Sequence, residues 1–514
     1  YRSATDVEAP HFSTMHAGAD PSWANTFRRE HTYYDKLWRL RDSPEAASQL
    51  YMQLAESVEQ VDESTFAVKL KQANFHNNPK SATFNSIVNG RQFTAEDVAA
   101  RYAFQKDAAG VNVLPGDFYT TGVQVTAIDD LTLQFSMDEP FAFFLEDGEG
   151  VMAGGYEVPR EMLGEQTLKT EPPIGTGPYM FDSYEAGGRE VAVRNPDYFV
   201  QDRPYIDKLQ YTVMADAAAQ AEAFRTGLTD VHDAANLAEA EGLAREFGNA
   251  MIWNRYPGSS GMALMLNARK PLFQDARMRE AIHKAIDVQR VIDVVYSGDA
   301  ARSWIFSPAR SAKFPLGYEA VANRVFFNKR DATALVDALK VDGIYGGEQV
   351  HFMLPVESQN WVDAGRLLAE DFEDIGLNVR AETVVQDSYL ERAGSRPSDG
   401  SPADFDITLT VGLSYTHFHS RPASSWVNAS PENPELDAII ERISLTVDSQ
   451  EREKISHEFE NWLADNYGNF VPVLDGNSHT MFRSYVKNID FDRARSGRGG
   501  WQVDRWLDEG RAEA

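Results

Sequence analysis

The stretch "PPIGTGPYMFDSYEAGGREVAVRNPDYF", Pro172 to Phe199, decides how this chain is read. Its Gly175-Thr176-Gly177 invites a phosphate-loop interpretation, and the surroundings reject it. A Walker loop closes on Gly-Lys-Ser/Thr, because backbone amides cradle the phosphates and the lysine neutralises them. No lysine succeeds Gly177, and Pro178 removes a backbone donor where a phosphate would want one. A dinucleotide fingerprint needs a strand and then a helix opened by glycines. Here Gly177-Pro178 leads instead into Tyr179-Met180-Phe181, a turn at Gly187-Gly188, and the alternating run from Arg189 to Val193. That pattern is a hairpin. The glycines therefore serve the fold, and no nucleotide is expected to bind.

The same logic extends outward. Asp62-Glu63-Ser64 and Asp129-Asp130 are turn signals inside two more alternating stretches, each predicting a hairpin. Trp23 to Leu40 carries Phe27, Tyr34, Leu37 and Trp38 at helix-like spacing, which predicts a helix. Thr94 and Asp97 mark a helix start, the threonine as cap and the acid complementing the helix dipole. Met278, Ile282, Ala285, Ile286 and Val291 predict one long amphipathic helix whose stripe is core. Strands and helices alternate around "QVHFMLP", "VDAGRLLAEDFEDIGLNVRAETVV" and "DFDITLTVG", as in an α/β domain. Ser395 to Asp404 is the obvious loop, rich in Ser, Pro and Gly.

Bulk properties narrow the class. A chain of 514 residues predicts two to four domains. The net charge of -29 lacks the basic stripe that nucleic acid or anionic membrane would require. With no cysteine, thiol catalysis, disulfides and cysteine metal sites are excluded. No apolar run is long enough to span a bilayer. No signal peptide is visible before Tyr1, as expected of a mature or trimmed chain.

Several segments, in order, resemble one family: "LAESVEQVDESTFAVKLKQANFH", "FTAEDV", "PPIGTGPY", "VRNPDYF", "RPYIDKLQYTV", "LMLNARKPLFQDARMREAIHKAID", "FEDIGLNV" and "NPELDAIIERI". Together they resemble the extracellular solute-binding proteins of ABC importers, in the peptide, nickel and opine class. The resemblance runs from about Leu54 to Phe491. It implies an α/β, two-lobed periplasmic-binding-protein-like fold with an extra subdomain and a two-crossing hinge. By position, 1–40, 170–264 and 488–514 form the basal part of lobe one, 41–169 its extra subdomain, and 265–487 lobe two. The hinge crossings then fall near Met265 and Ile489. Solute is expected between the lobes, which close on it and deliver it to a membrane permease. ATP is hydrolysed by a separate subunit.

The resemblance also carries candidate binding residues. Peptide-binding members have Gly-Trp-x-x-Asp, whose aspartate pairs with the peptide's ammonium. A buried cation needs such a partner. Here the sequence reads Gly412-Leu413-Ser414-Tyr415-Thr416-His417, so Thr416 replaces the acid and Leu413 the tryptophan. Either the solute is not an ordinary peptide, or another acid such as Asp233 or Glu8 supplies the charge. Ser414, Tyr415, Thr416 and His417 suit an uncharged polar or hydroxyl-rich group, since they donate, accept and stack. Asn236 falls where a member of the family has a solute-lining asparagine. Ser259, within Tyr256 to Gly261, precedes the expected hinge strand, and Trp501, Trp23 and Trp304 are candidate aromatic walls.

His417 and His419 share a strand face, but no third ligand lies nearby, so no metal is expected. No cofactor is expected either. Neither Gly-x-Ser-x-Gly nor His-Glu-x-x-His occurs, and Gly258-Ser259-Ser260-Gly261 has the wrong spacing for a nucleophile elbow. The expectation is a monomeric, non-catalytic binder, periplasmic or extracellular, either free or lipid-anchored. Alternatives within the family are an oligosaccharide or metal-chelate binder, or a sensor that presents its ligand to a chemoreceptor.

Overall fold

The computed structural model describes residues 1–5, 29, 31–41, 49–107, 122–145, 156–257, 261–305, 316–356, 359–389, 392–393, 403–411, 429–489 and 506–507. The chain divides into two compact units, Tyr1–Tyr256 with Ser478–Ala514, and Pro257–Asn477. Both divisions fall earlier in the chain than the crossings expected near Met265 and Ile489. The second lies inside the strand Phe470–Arg483, which gives residues to each unit.

In the first unit, the opening segment forms the hairpin Tyr179–Glu185 and Arg189–Arg194, with Gly187 at φ +68° in the turn. Arg189–Arg194 pairs antiparallel with Lys208–Val213, which pairs in parallel with Arg2–Thr5. The reason for Gly175 and Gly177 is close backbone approach. A Cβ on Gly175 would stand 2.1 Å from the Tyr33 carbonyl oxygen, and one on Gly177 would stand 2.4 Å from the Tyr33 carbonyl carbon. In that space the Gly177 amide donates to the Tyr33 carbonyl at 3.0 Å. His76 clamps the turn from the other side. Its Nε2 donates to the Gly177 carbonyl at 2.9 Å and its Nδ1 accepts from the Gly175 amide at 3.3 Å. Burial pushes the His76 pKa down to about 4, so the ring is neutral, as this pairing requires.

The same contacts correct the helix expected over Trp23 to Leu40. Within its described part, Arg29 and His31 to Tyr33 are helical as expected, but Tyr34 to Leu37 is irregular, and Trp38–Arg41 is a strand paired with Gln49–Met52. Every residue from Thr32 to Trp38 is buried. An amphipathic helix buries one stripe, whereas this strap is enclosed on all sides. Trp38 then meets the extra four-stranded sheet, made of Ala55–Asp62, Thr65–Leu70, Thr132–Ser136 and Gln124–Asp129. Its ring lies 5.5 Å from Phe144, and Phe144 stacks on Phe66 at 4.2 Å. Helix Ala95–Asp107 starts directly after Thr94 with Asp97 in its first turn, as expected. The buried Asp97 carboxylate accepts from the Thr94 amide at 3.0 Å and from Thr94 Oγ1 at 3.1 Å, and it pairs with Arg91 at 2.5 Å.

In the second unit, a sheet runs in the order Ala300–Arg302, Phe470–Arg483, Met262–Leu266, Ile407–Val411, Gln349–Pro355, Asn378–Val384. The last three strands are parallel. Helix Gln359–Asp374 makes the crossover between Gln349–Pro355 and Asn378–Val384, as a parallel pair demands. The expected long helix is two: Ala276–Ala285 and Val288–Val295. Asp287 causes the break by accepting from the Arg290 amide at 3.1 Å, as the N-cap of the second helix. Met278, Ile282, Ala285, Ile286 and Val291 are all buried in the unit's core, as their spacing predicts.

Candidate functional site

The pairing in the second unit arranges one row across four strands. Arg302 is opposite Leu474, Leu474 opposite Met262, and Met262 opposite Val411. Met262 is the first residue of its strand and Val411 the last of its own. The chain before Met262 and the chain after Val411, which in sequence carry Ser259 and Ser414 to His417, therefore leave from paired ends of two neighbouring strands. Those residues themselves lie outside the described residues, as do Trp23, Trp501, Glu8 and His419. Gly261, next to Met262, is forced by crowding, because a Cβ there would meet Asp475 Oδ1 at 2.2 Å.

Trp304 behaves unlike an open aromatic wall. It is 4% exposed and packs inside the second unit with His283, Ile286 and Tyr318. Its position comes from the short strand Ala300–Arg302, which turns the next two residues toward the helices.

In the first unit, Asn236 is exposed, and its Oδ1 accepts from the Glu239 amide at 3.0 Å as the N-cap of helix Leu237–Phe247. Glu239 reaches back to the Ala235 amide at 2.8 Å and to His232 Nε2 at 3.0 Å. The His232 hydrogen bond, above all, draws the Glu239 pKa below its ordinary value. Next to His232 on the same strand, Asp233 is opposite Thr480. The Thr480 hydroxyl donates to Asp233 Oδ1 at 2.5 Å, and Tyr256 Oη lies 3.3 Å from the same hydroxyl. Beside them, Trp253 Nε1 donates to His479 Nδ1 at 3.2 Å. Asp233, Thr480 and Tyr256 thus form one polar group in the first unit and Trp253 with His479 a second, and Tyr256 and His479 lie beside its two chain divisions.

Thr480, His479 and Trp253 escape the sequence reading. The signal available for two of them is Asn477-Ser478-His479-Thr480, a polar run interrupting an otherwise apolar strand. Among the described residues, no group of three His, Asp or Glu side chains is arranged to hold a metal ion.

Comparison with known proteins accounts for this layout. The profile described as bacterial extracellular solute-binding proteins, family 5 middle, matches residues 49–415. The oligopeptide-binding protein AppA of Bacillus subtilis is 25% identical over 434 residues, covering 80% of this chain and 75% of its own. Among solved structures, AgaA from A. tumefaciens R10 in complex with agropinic acid has a TM-score of 0.80 at 18% identity, covering 99% of this chain and 98% of its own. DppA from Helicobacter pylori in complex with the peptide STSA has a TM-score of 0.80 at 20% identity, with the same coverage. Strand pairing, two-unit division and sequence profile lead to one conclusion: this chain belongs to family 5 of the bacterial extracellular solute-binding proteins, the solute-capturing components of ABC importers.

Proposed function

We propose that this chain captures a polar organic solute whose binding does not rely on the aspartate that anchors peptide ammonium groups in relatives. The observation that supports this reading is the Met262–Val411 pairing, which brings together the strand ends from which the chain runs, in sequence, to Ser259 and to Ser414 to His417. In sequence those segments carry neutral donors and acceptors, with Thr416 in the acid's place. For an amine-bearing solute, the exposed Asp233 supplies the counter-charge, with one oxygen held by Thr480. Likeness of equal TM-score to an opine-bound and a peptide-bound protein supports the fold alone, so the solute's chemistry rests on these residues.

Capture proceeds by closure of the two lobes, because a ligand shifts the population toward the form it binds better. The loaded protein, a monomer, then docks on a membrane permease. No chemistry is done on the solute, and ATP is hydrolysed by another subunit. The protein works in the periplasm or outside the cell, free or held by a lipid anchor. Among the described residues no helix is long and apolar enough to cross a membrane.

The test is thermal denaturation with peptides. A ligand raises the melting temperature of the state it binds. Ordinary di- and tripeptides are expected to leave Tm unchanged, and a rise of several degrees would overturn the reading of Thr416. For a solute that does raise Tm, Thr416→Trp is expected to abolish the rise while leaving the unliganded Tm near that of the parent. A rise of the same size in the variant removes this segment from the site.

A further inference from the structure

In the second unit, Arg302, Ser303 and Trp304 line a pocket of about 10 Å³ together with His283, Tyr318 and Val471 among others. That volume is about one atom-sized occupant. Arg302, Ser303 and Trp304 all carry side-chain hydrogen-bond donors. Among the described residues the indole N–H of the buried Trp304 has no acceptor. The Arg302 guanidinium, half-buried, makes one hydrogen bond among them, to the Val325 carbonyl at 3.3 Å, and lies 4.1 Å over the Tyr318 ring. A guanidinium has five N–H donors, so most of its capacity is unused by the described residues. Ser303 is buried and adds a hydroxyl.

Arg302 also lacks a counter-charge. Acidic residues outnumber basic ones 78 to 49 in this chain. Some arginines hold carboxylates, as Arg29 pairs with Glu190, Arg91 with Asp97 and Arg101 with Glu157, while Arg279 hydrogen-bonds the backbone carbonyls of Phe273, Gln274 and Tyr467. Arg302 has no carboxylate contact among the described residues. Asp287 and Glu319 act on it only at a distance, while burial lowers its pKa. His283 brings no charge to the cavity. Its Nε2 is bonded to the Gly468 carbonyl at 3.0 Å, and burial pushes its pKa down to about 4.

We propose that this cavity seats a single monovalent anion of halide size, chloride in ordinary surroundings. A water molecule would satisfy the indole N–H but would need acceptors for its own two protons, and it would leave the guanidinium uncompensated. An anion accepts from Trp304, Arg302 and Ser303 together and supplies the missing charge. Its structural effect is local. It joins the end of strand Ala300–Arg302 to helix Tyr318–Val321, on whose first ring Arg302 stacks. The inference does not depend on which solute the protein captures.

The experiment compares Tm in sodium chloride and sodium gluconate at equal ionic strength, for the full chain and for Trp304→Phe, which keeps an aromatic ring and loses the N–H. The expected result is a saturable, chloride-specific rise of roughly a few degrees in the parent and none in the variant. Crystals grown in bromide are expected to show an anomalous peak in this cavity. Equal Tm in the two salts, an undiminished chloride response in Trp304→Phe, or a cavity holding only water in the bromide crystals would each overturn the proposal.

Discussion

Two buried glutamates, one in each unit, are kept by opposite means. In the first, Glu157 is enclosed but receives both Arg101 Nε at 3.2 Å and Arg101 Nη2 at 3.1 Å. Burial raises its pKa and Arg101 draws it back. In the second, Glu460 is equally enclosed, yet among the described residues its Oε1 accepts only the Leu316 amide, at 3.1 Å, and its Oε2 has no partner. Burial lifts its pKa to about 8. One acid is kept by a cation, the other by a proton. The difference teaches that a net charge of -29 is not spread evenly into the interior: some cores neutralise an acid with a partner and others by leaving it protonated.

The largest expected effect comes from making the first unit resemble the second. Arg101→Met removes the cation and leaves Glu157 buried alone, which is expected to cost about 3–5 kcal/mol. Denaturant unfolding at neutral pH measures it, and a loss near zero would mean the pair contributes nothing.

Next comes the second unit's acid. Glu460 has a folded pKa of about 8, above the ordinary carboxylate value of an unfolded chain. The unfolded state therefore releases this proton first as pH rises. The contribution of Glu460 is fully present below the ordinary value and is lost as pH rises through about 8. Its share of the slope is at most about 1.4 kcal/mol per pH unit. Glu460→Gln is expected to remove that share, so the variant gains on the parent as pH rises. Parallel stability curves for the two proteins would contradict the assignment.

The smallest effect sharpens the paired side of the comparison. Buried Glu190 accepts from Arg29 Nε at 2.9 Å and from the Tyr33 hydroxyl at 2.8 Å. Tyr33→Phe removes one hydrogen bond but keeps the cation, and is expected to cost roughly 1–3 kcal/mol, less than loss of a guanidinium. A cost equal to that of Arg101→Met would show that the hydroxyl, and not the charge, holds such acids.

The hairpins were legible because their turn chemistry is local: Gly187-Gly188, Asp62-Glu63-Ser64 and Asp129-Asp130 all sit between paired strands. The strap from Thr32 to Trp38 was not. Its aromatic spacing imitates a helix stripe, while its true constraint is backbone contact with glycines far along the chain. The helix break at Asp287 was readable in principle, since an aspartate before Val288 is an ordinary cap. Asn236 was legible as a candidate, and the Asn236 to Glu239 spacing also announces the cap it forms. The Asp233–Thr480 contact was out of reach, because its partners lie 247 residues apart and only strand pairing brings them together.

Native mass spectrometry tests the central claim most directly. The protein is unfolded to shed any captured compound, refolded, and mixed with a small-molecule extract of growth medium. The account predicts one added mass per chain, belonging to a polar organic solute and lost on denaturation. No added mass, or an added mass that proves to be a nucleotide, would contradict it.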